Sequence, residues 1–370
     1  EDLKKQGVDT TNPKTGIDLY EPFYQSAPLH LAKVKETIVS PEYGMSPGAN
    51  VRGFEPPESS RNLKLSDYSK SPNQLADFAA AHSTQTVRDL SGFIENTYLK
   101  DGTQGQSRVL NVSHEHSQLT TAEFAAAQMR KDPEGSRQSI EKVLGKERGN
   151  SWIDQAKRFN NAVADPAARE GIVKVVTGDV LEREMREKLI PHVKQAVENS
   201  QEFKDAMNKY RDVTRRAADS GVSVVVCAGN DGHRADGSVY NYYAQSDHVI
   251  GVAGHDSNKT PTDTSDDKMW AGSSPGNARY QPTVTAESHN VSSEVDQTLQ
   301  KSGTSFGAPL VSATIANMRD QNPAMTFEQT KAKLQQNARP FPGVSSERQG
   351  AGRLDSVKAI LSARQEKKDT

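Results

Sequence analysis

The sequence predicts an α/β fold with a mostly parallel sheet and a mainly helical insertion. Three observations lead to this prediction. The run 222–227 is short, continuous and β-branched, which is typical of a strand buried on both faces of a parallel sheet. Residues 310–318 have the apolar period of a buried helix. The stretch 119–205 is rich in Ala, Glu, Lys, Arg and Gln, which favour helices.

Residues 302–309, Ser-Gly-Thr-Ser-Phe-Gly-Ala-Pro, place Ser305 at the start of the buried helix. A serine hydroxyl becomes a nucleophile when it is exposed, oriented and supplied with a base and an anion site. The amides at a helix start, including that of Ser305, direct positive charge toward a developing oxyanion. Gly303 permits a tight approach, and Pro309 is tolerated because first-turn amides have no intrahelical partner. Here the chain resembles the subtilisin-like serine proteases, or subtilases, whose nucleophile lies in a Gly-Thr-Ser-x-[Ala/Gly]-x-Pro motif.

The resemblance extends to residues that follow two predicted strands. In the family, the asparagine of an Ala-Gly-Asn sequence donates its side-chain amide to the oxyanion, and this role falls on Asn230. The family strand that ends in Asn-x-Ser forms one wall of the substrate groove. The resemblance therefore implies that Ser113, His114 and Gly229 bind substrate. The tripeptide 114–116, His-Glu-His, stands where the family has Leu-Gly; it binds metal, alters substrate preference or is inert.

The catalytic histidine is assigned by counting along the chain. Residues 43–51 resemble the family's turn into a strand, and counting back from them places His30 in the histidine position. Val34, Thr37 and Ile38 then fall on the helix that carries it. The resemblance implies that His30 acts first as general base and then as general acid for Ser305.

The carboxylate that orients the histidine is ambiguous. Gly7, Val8 and Asp9 resemble a family sequence that begins two residues after the catalytic aspartate, which places Lys5 in the aspartate position. A lysine cannot accept the histidine Nδ1 proton. Three interpretations stay open: Asp9 serves because the first strand has slipped, Asp18 serves, or the chain has lost turnover. We expect Asp9.

The resemblance implies a subtilisin-like, doubly wound domain in two segments, 1–118 and 206–370, which flank a helical insertion at 119–205. The implied function is a serine endopeptidase that hydrolyses peptide bonds through an acyl-enzyme. The alternative is a catalytically impaired pseudoprotease that binds peptides or proteins. Within the insertion, the predicted helices cover 120–129, with a capping box at Thr120, and 136–145, 151–164 and 180–199. The insertion restricts substrates, binds a protein partner or only packs.

Composition limits the partners and the compartment. With 46 basic and 48 acidic residues, the formal charge is −2, so electrostatics predicts neither nucleic acid nor an anionic membrane as a partner. No apolar run approaches the roughly 20 residues of a membrane helix, so we expect a soluble protein. The single Cys227 permits an intracellular location, whereas the family resemblance favours secretion. Because the chain starts at Glu1 without a signal peptide, we expect a fragment or a processed form.

No organic cofactor and no catalytic metal are implied. Asp263, Asp266 and Asp267 are candidates for a structural calcium loop, but their spacing is not that of a recognised calcium motif. We therefore expect a solvated acidic turn at these three residues.

Overall fold

The computed structural model describes residues 2–10, 14–20, 28–40, 45–55, 59, 62–100, 107–163, 180–232, 240–258, 264–289, 291 and 302–366. The chain divides into two compact units. The sheet unit is formed by 1–56, 90–115 and 209–370, and the helical unit by 57–89 and 116–208. The helical unit therefore contains 57–89 in addition to the helical segment predicted at 119–205.

The strands of the sheet unit are short. They are Gly16–Tyr20 (β1), Val51–Phe54 (β2), Ser107–Val112 (β3), Ser223–Cys227 (β4), Ile250–Asp256 (β5), Lys268–Met269 (β6), Val284–Glu287 (β7), Ala338–Arg339 (β8) and Arg353–Leu354 (β9). In the described residues they form one sheet in the order β2-β1-β3-β4-β5-β7-β9-β8, and β6 pairs with β5. The β5–β6 and β8–β9 pairs are antiparallel and the other pairs are parallel. The predicted mostly parallel sheet is confirmed.

The helices of the described residues range from one turn to more than five. They are Asp2–Lys5 (α1), Pro28–Val39 (α2), Gln74–Ile94 (α3), Gln118–Lys131 (α4), Arg137–Leu144 (α5), Lys146–Val163 (α6), Val180–Asn199 (α7), Gln201–Asp219 (α8), Thr304–Gln321 (α9), Phe327–Gln336 (α10), Ser346–Gln349 (α11) and Ser356–Glu366 (α12). Within this described set, no helix combines the length and apolar character that a membrane crossing requires.

Helices pack on both faces of the sheet. Alternate residues of β1 point to opposite faces. Ile17 belongs to a buried cluster with Val34 of α2 and Val311 of α9. Tyr20 points to the other face, where its ring centroid is 4.9 Å from that of Phe93 in α3. This two-sided packing is the doubly wound arrangement that the sequence predicted.

Two predicted helix starts in the helical unit differ from the structure. The capping box was placed at Thr120, but Ser117 is the N-cap of α4 and its side chain accepts a hydrogen bond from the Thr120 amide. Thr120 is instead the third helical residue, and its hydroxyl accepts from the Ser117 amide at 2.8 Å. The helix expected from Ser151 begins at Lys146. The helix α7 spans Val180–Asn199, as expected.

Candidate active site

The structure brings His30 and Ser305 together although 275 residues separate them. His30 lies in the first turn of α2, and Ser305 is the second residue of α9. The distance from His30 Nε2 to Ser305 Oγ is 3.1 Å, which is a hydrogen-bond distance. The Phe306 ring lies 5.7 Å from the imidazole, centroid to centroid, and limits its position on one side. A hydroxyl in this geometry can pass its proton to the imidazole.

The start of α9 fits closely around the Ser305 hydroxyl. A Cβ atom at the N-cap residue Gly303 would lie 3.0 Å from Ser305 Oγ, so glycine keeps this space open. Pro309 was predicted in the first turn, and this is wrong: α9 begins at Thr304, so Pro309 is its sixth residue. Because proline has no amide hydrogen, the Ser305 carbonyl lacks its usual helical donor.

Asn230 is held by the residue that precedes the nucleophile. It follows β4, and its Oδ1 accepts hydrogen bonds from the Thr304 amide at 2.8 Å and from the Thr304 hydroxyl at 3.2 Å. Fixing the amide oxygen on Thr304 turns Nδ2, which carries two hydrogens, away from that helix residue. The Ser305 amide is the second in its helix and has no intrahelical acceptor. These two groups are the donors that the sequence analysis assigned to an oxyanion.

Sequence reasoning missed the two residues that fix Asn230, namely Thr304 and Glu115. The Thr304 hydroxyl also accepts from the Gly229 amide at 3.1 Å and donates to the Gly229 carbonyl at 3.2 Å. Glu115 accepts from the Asn230 amide at 2.9 Å. Thr304 could have been noted from its place inside the Ser-Gly-Thr-Ser motif. Glu115 stood out only as part of the 114–116 tripeptide, and its contact with the backbone of Asn230, 115 residues away, gave no local signal.

The residues expected to bind substrate follow neighbouring parallel strands. Ser113 and His114 come after β3, and Gly229 comes after β4. The Ser113 hydroxyl is buried and accepts from the Asn111 side chain at 2.8 Å, while the His114 carbonyl accepts from Asn241 at 3.0 Å. Gly229 has a φ of +110°, a conformation that a residue with a Cβ rarely adopts.

The two N-terminal candidate positions, Lys5 and Asp9, precede the first strand of the sheet. Lys5, expected in the catalytic aspartate position, is exposed at the end of α1. Asp9 was expected to serve if the first strand had slipped to cover it. That strand is β1, which begins at Gly16, and Asp9 is exposed before it. The premise for assigning Asp9 as the orienting carboxylate is therefore not met.

Asp18 is fully buried within β1 and is held by two other side chains. Arg52 donates to both of its oxygens, from Nε at 2.8 Å and from Nη2 at 2.9 Å, and the Tyr98 hydroxyl donates at 2.6 Å. The alternation of β1 places Asp18 on the face of Tyr20, opposite the face that packs on α2 and α9. Its contacts are those of a structural carboxylate.

The expected solvated acidic turn, which was also the candidate calcium loop, lies partly outside the described residues, because Asp263 is not among them. Asp266 accepts from the Asn258 side chain at 2.8 Å, and Asp267 forms an ion pair with Arg353. Among the residues that the structure describes, no group of three His, Cys, Asp or Glu side chains is arranged to hold a metal ion.

Comparison with known proteins adds family membership to this geometry. Two similar solved structures are the self-cleaved protease domain of PatA and the prenylagaramide maturation protease PagA. The PatA domain is 15% identical, with 96% of this chain and 99% of that chain covered and a TM-score of 0.49. PagA is 15% identical, with 98% of each chain covered and a TM-score of 0.48. No curated protein matches the chain in sequence.

The model of the subtilase family matches residues 95–352, which is more than half of the chain. This range contains Asn230 and Ser305, while His30, Asp9 and Asp18 precede it. The chain therefore belongs to the subtilase family of serine-type peptidases.

Proposed function

We propose that this protein is a serine endopeptidase that hydrolyses peptide bonds through an acyl-enzyme on Ser305. The observation that carries the proposal is the 3.1 Å contact between His30 Nε2 and Ser305 Oγ at the start of α9. A base within hydrogen-bond reach of a helix-start serine is the arrangement that nucleophilic catalysis requires.

The reaction has two halves. In the first half, Ser305 Oγ bonds to the carbonyl carbon of the substrate and its proton passes to His30 Nε2. The carbonyl oxygen becomes an oxyanion that accepts hydrogen bonds from the Ser305 amide and from Asn230 Nδ2. The C–N bond then breaks, and the departing amine takes the proton from His30. In the second half, water loses a proton to His30 and attacks the ester carbon. The C–Oγ bond then breaks, Ser305 Oγ takes the proton back from His30, and the carboxylic acid leaves.

The groove that presents the substrate lies after β3 and β4 in this proposal. An extended peptide would pair by main-chain hydrogen bonds with the backbone that follows Ser113, and Gly229 would leave space for a side chain. The substrate is then a protein or peptide in extended form. Asp18 takes no part in this mechanism, because Arg52 and Tyr98 occupy its carboxylate.

Labelling with a fluorophosphonate tests the proposal, because this reagent reacts with activated serines. We expect one adduct on wild-type protein, located on Ser305 by peptide mass spectrometry, and none on Ser305→Ala or His30→Ala. Ser302→Ala is the matched control: Ser302 contacts His289 at 2.6 Å, and we expect its variant to label like the wild type.

Absence of an adduct on the wild type across the neutral and alkaline pH range would contradict the proposal that Ser305 hydrolyses peptide bonds. Together with retained peptide binding, that result would identify the chain as the non-catalytic binding module.

A further inference from the structure

A cavity of the sheet unit, separate from the Ser305 site, lies at the carboxyl ends of β5 and β7. Its volume is about 570 Å³, and residues of α9, β8, β9 and the start of α12 complete its wall. This volume falls within the range of small-molecule sites, which is about 300–1,000 Å³. In open α/β sheets, ligands bind in crevices outside the carboxyl ends of the strands.

His255, the sixth residue of β5, lines this cavity and is only 6% exposed. Its Nδ1 atom is buried and has no hydrogen-bond partner among the described residues. Burial, together with the nearby positive charge of Arg353, lowers the pKa of His255 to about 4. The ring is therefore neutral at pH 7, and a neutral imidazole has one nitrogen that accepts a hydrogen bond.

Three carboxylates line the same cavity, and one of them, Asp355, is paired with Arg339 and Lys358. The Asp267 side chain is 5% exposed; it forms an ion pair with Arg353 through Oδ2, while Oδ1 is buried without a partner among the described residues. Glu287 accepts a hydrogen bond from the Ser257 hydroxyl at 2.5 Å, and no cation of the described residues pairs with it. The cavity thus presents acceptors that lack donors.

The positive charges on the cavity wall are already compensated. Arg353 is paired with Asp267, and Arg339 lies 3.3 Å from Asp355. Glu287 therefore leaves an excess of negative charge in this cavity, which favours a cation over an anion.

Part of the cavity wall is apolar. This part is formed by Leu310 and Val311 of α9 together with Leu354 and Val357. A ligand that fits must therefore carry an aliphatic stem as well as a charged head. A bare metal ion does not fit, because the described His, Asp and Glu side chains form no group that could ligate one.

We propose that this cavity binds an aliphatic organic cation, with an alkylammonium or guanidinium head against Glu287, Asp267 and His255 and its stem against the apolar wall. Such a head is carried both by free alkylamines and by lysine or arginine side chains. The site does not depend on the catalytic proposal, because none of these groups touches Ser305 or His30.

Isothermal titration calorimetry with n-hexylamine and with Nα-acetyl-lysine N-methylamide tests this proposal. We expect saturable binding of at least one probe to the wild type, and no comparable binding of the uncharged 1-hexanol. Binding of hexylamine alone would identify free amines as the source, and binding of the lysine derivative would identify peptide side chains. Failure of both cations to bind, or equal binding of 1-hexanol, would overturn the proposal.

Variants locate the binding in this cavity. Glu287→Gln removes the charge but keeps an acceptor for Ser257, and we expect it to weaken the binding of the cation at least about tenfold. Glu328→Gln is the matched control, because Glu328 is 73% exposed on α10; its affinity should equal that of the wild type. Ser305→Ala should also bind like the wild type, so that loss of catalysis and loss of this site are distinguishable. Unchanged affinity in Glu287→Gln would overturn the assignment.

Discussion

Two polar clusters in the sheet unit are built in opposite ways. Around Asp18, Arg52 and Tyr98 supply donors to a fully buried carboxylate, and both of its oxygens are occupied. At the start of α9, the Ser305 hydroxyl lies within hydrogen-bond distance of His30 Nε2, while the Ser305 backbone amide has no intrahelical acceptor. The first cluster is closed and the second has hydrogen-bonding capacity left for a ligand.

In this fold, stability and reactivity depend on different polar clusters. A buried charge must be fully paired, since an unpaired one costs several kcal/mol. A reaction site needs donors that remain available until charge develops on the substrate. We therefore expect substitutions in the Ser305 cluster to change kcat, and substitutions in the Asp18 cluster to change the free energy of unfolding.

Apart from loss of Ser305 or His30 themselves, the largest effect is expected at Asn230. Asn230→Ala should lower kcat about 10²–10³-fold with little change in KM, because an oxyanion donor acts mainly in the transition state. Asn230→Asp sharpens the test, because it keeps an acceptor for the Thr304 amide but lacks the Nδ2 donor. The kcat of Asn230→Asp should fall to a similar extent. Steady-state kinetics on a peptide substrate measures kcat and KM for both variants. A fully active Asn230→Asp enzyme would break the oxyanion assignment.

The next largest effect is expected at His82, a buried residue of the helical unit that has no ionic partner among the described residues. His82 stacks on Phe124 at 4.3 Å, and burial lowers its pKa to about 4 from an ordinary value of 6.5. Because the folded-state pKa is the lower one, its contribution to stability is full above about pH 6.5 and is lost as pH falls toward 4. At pH 4 the loss approaches about 3 kcal/mol.

His82→Phe removes the titrating group while keeping an aromatic ring beside Phe78 and Phe124. The urea midpoint of the wild type should fall relative to this variant between pH 6.5 and 4, and the two should be close at pH 7.5. Parallel pH profiles would show that His82 does not titrate differently in the folded and unfolded states.

The closed cluster is tested by Asp18→Asn. We expect a loss of about 2–3 kcal/mol in the free energy of unfolding, less than for a completely buried pair because the Arg52 side chain is 33% exposed. The kcat of the folded enzyme should change less than about threefold. Urea unfolding and steady-state kinetics on the same samples separate the effect on stability from the effect on kcat. A large loss of kcat with an unchanged free energy of unfolding would show that Asp18 takes part in catalysis.

The smallest effect is expected for Asp9→Asn. An exposed substitution usually changes stability by less than about 0.5 kcal/mol, and kcat should stay within about threefold of the wild type. A loss near 10⁴-fold, as expected when the orienting carboxylate of a triad is removed, would restore Asp9 to the role that the sequence suggested.

The sequence was sufficient where structure depends on local pattern. The β-branched residues of β4, the motif around Ser305 and the bounds of α7 followed from residue type and period. In the N-terminal segment, the burial of Asp18 could not be predicted from the sequence, and the reason is physical. An aspartate in the middle of a strand is not expected to be buried, and Asp18 is buried only because Arg52 and Tyr98, 34 and 80 residues away, donate to it. No local pattern reports such partners.

The pairing of His30 with Ser305 was predicted only by counting from a weakly similar turn, and the contact itself depends on the fold. Likewise, the place of 57–89 in the helical unit depends on contacts between segments that are distant in sequence.

A double-mutant cycle of Ser305→Ala and His30→Ala, measured as kcat on one peptide substrate, tests whether these two side chains act together in catalysis. Groups that act as one unit are strongly non-additive, and loss of either alone costs about 10⁶-fold. We predict that the double variant is no slower than either single variant. Additive losses, or a single variant that retains substantial activity, would show that the Ser305 hydroxyl and the His30 imidazole do not act as one catalytic unit.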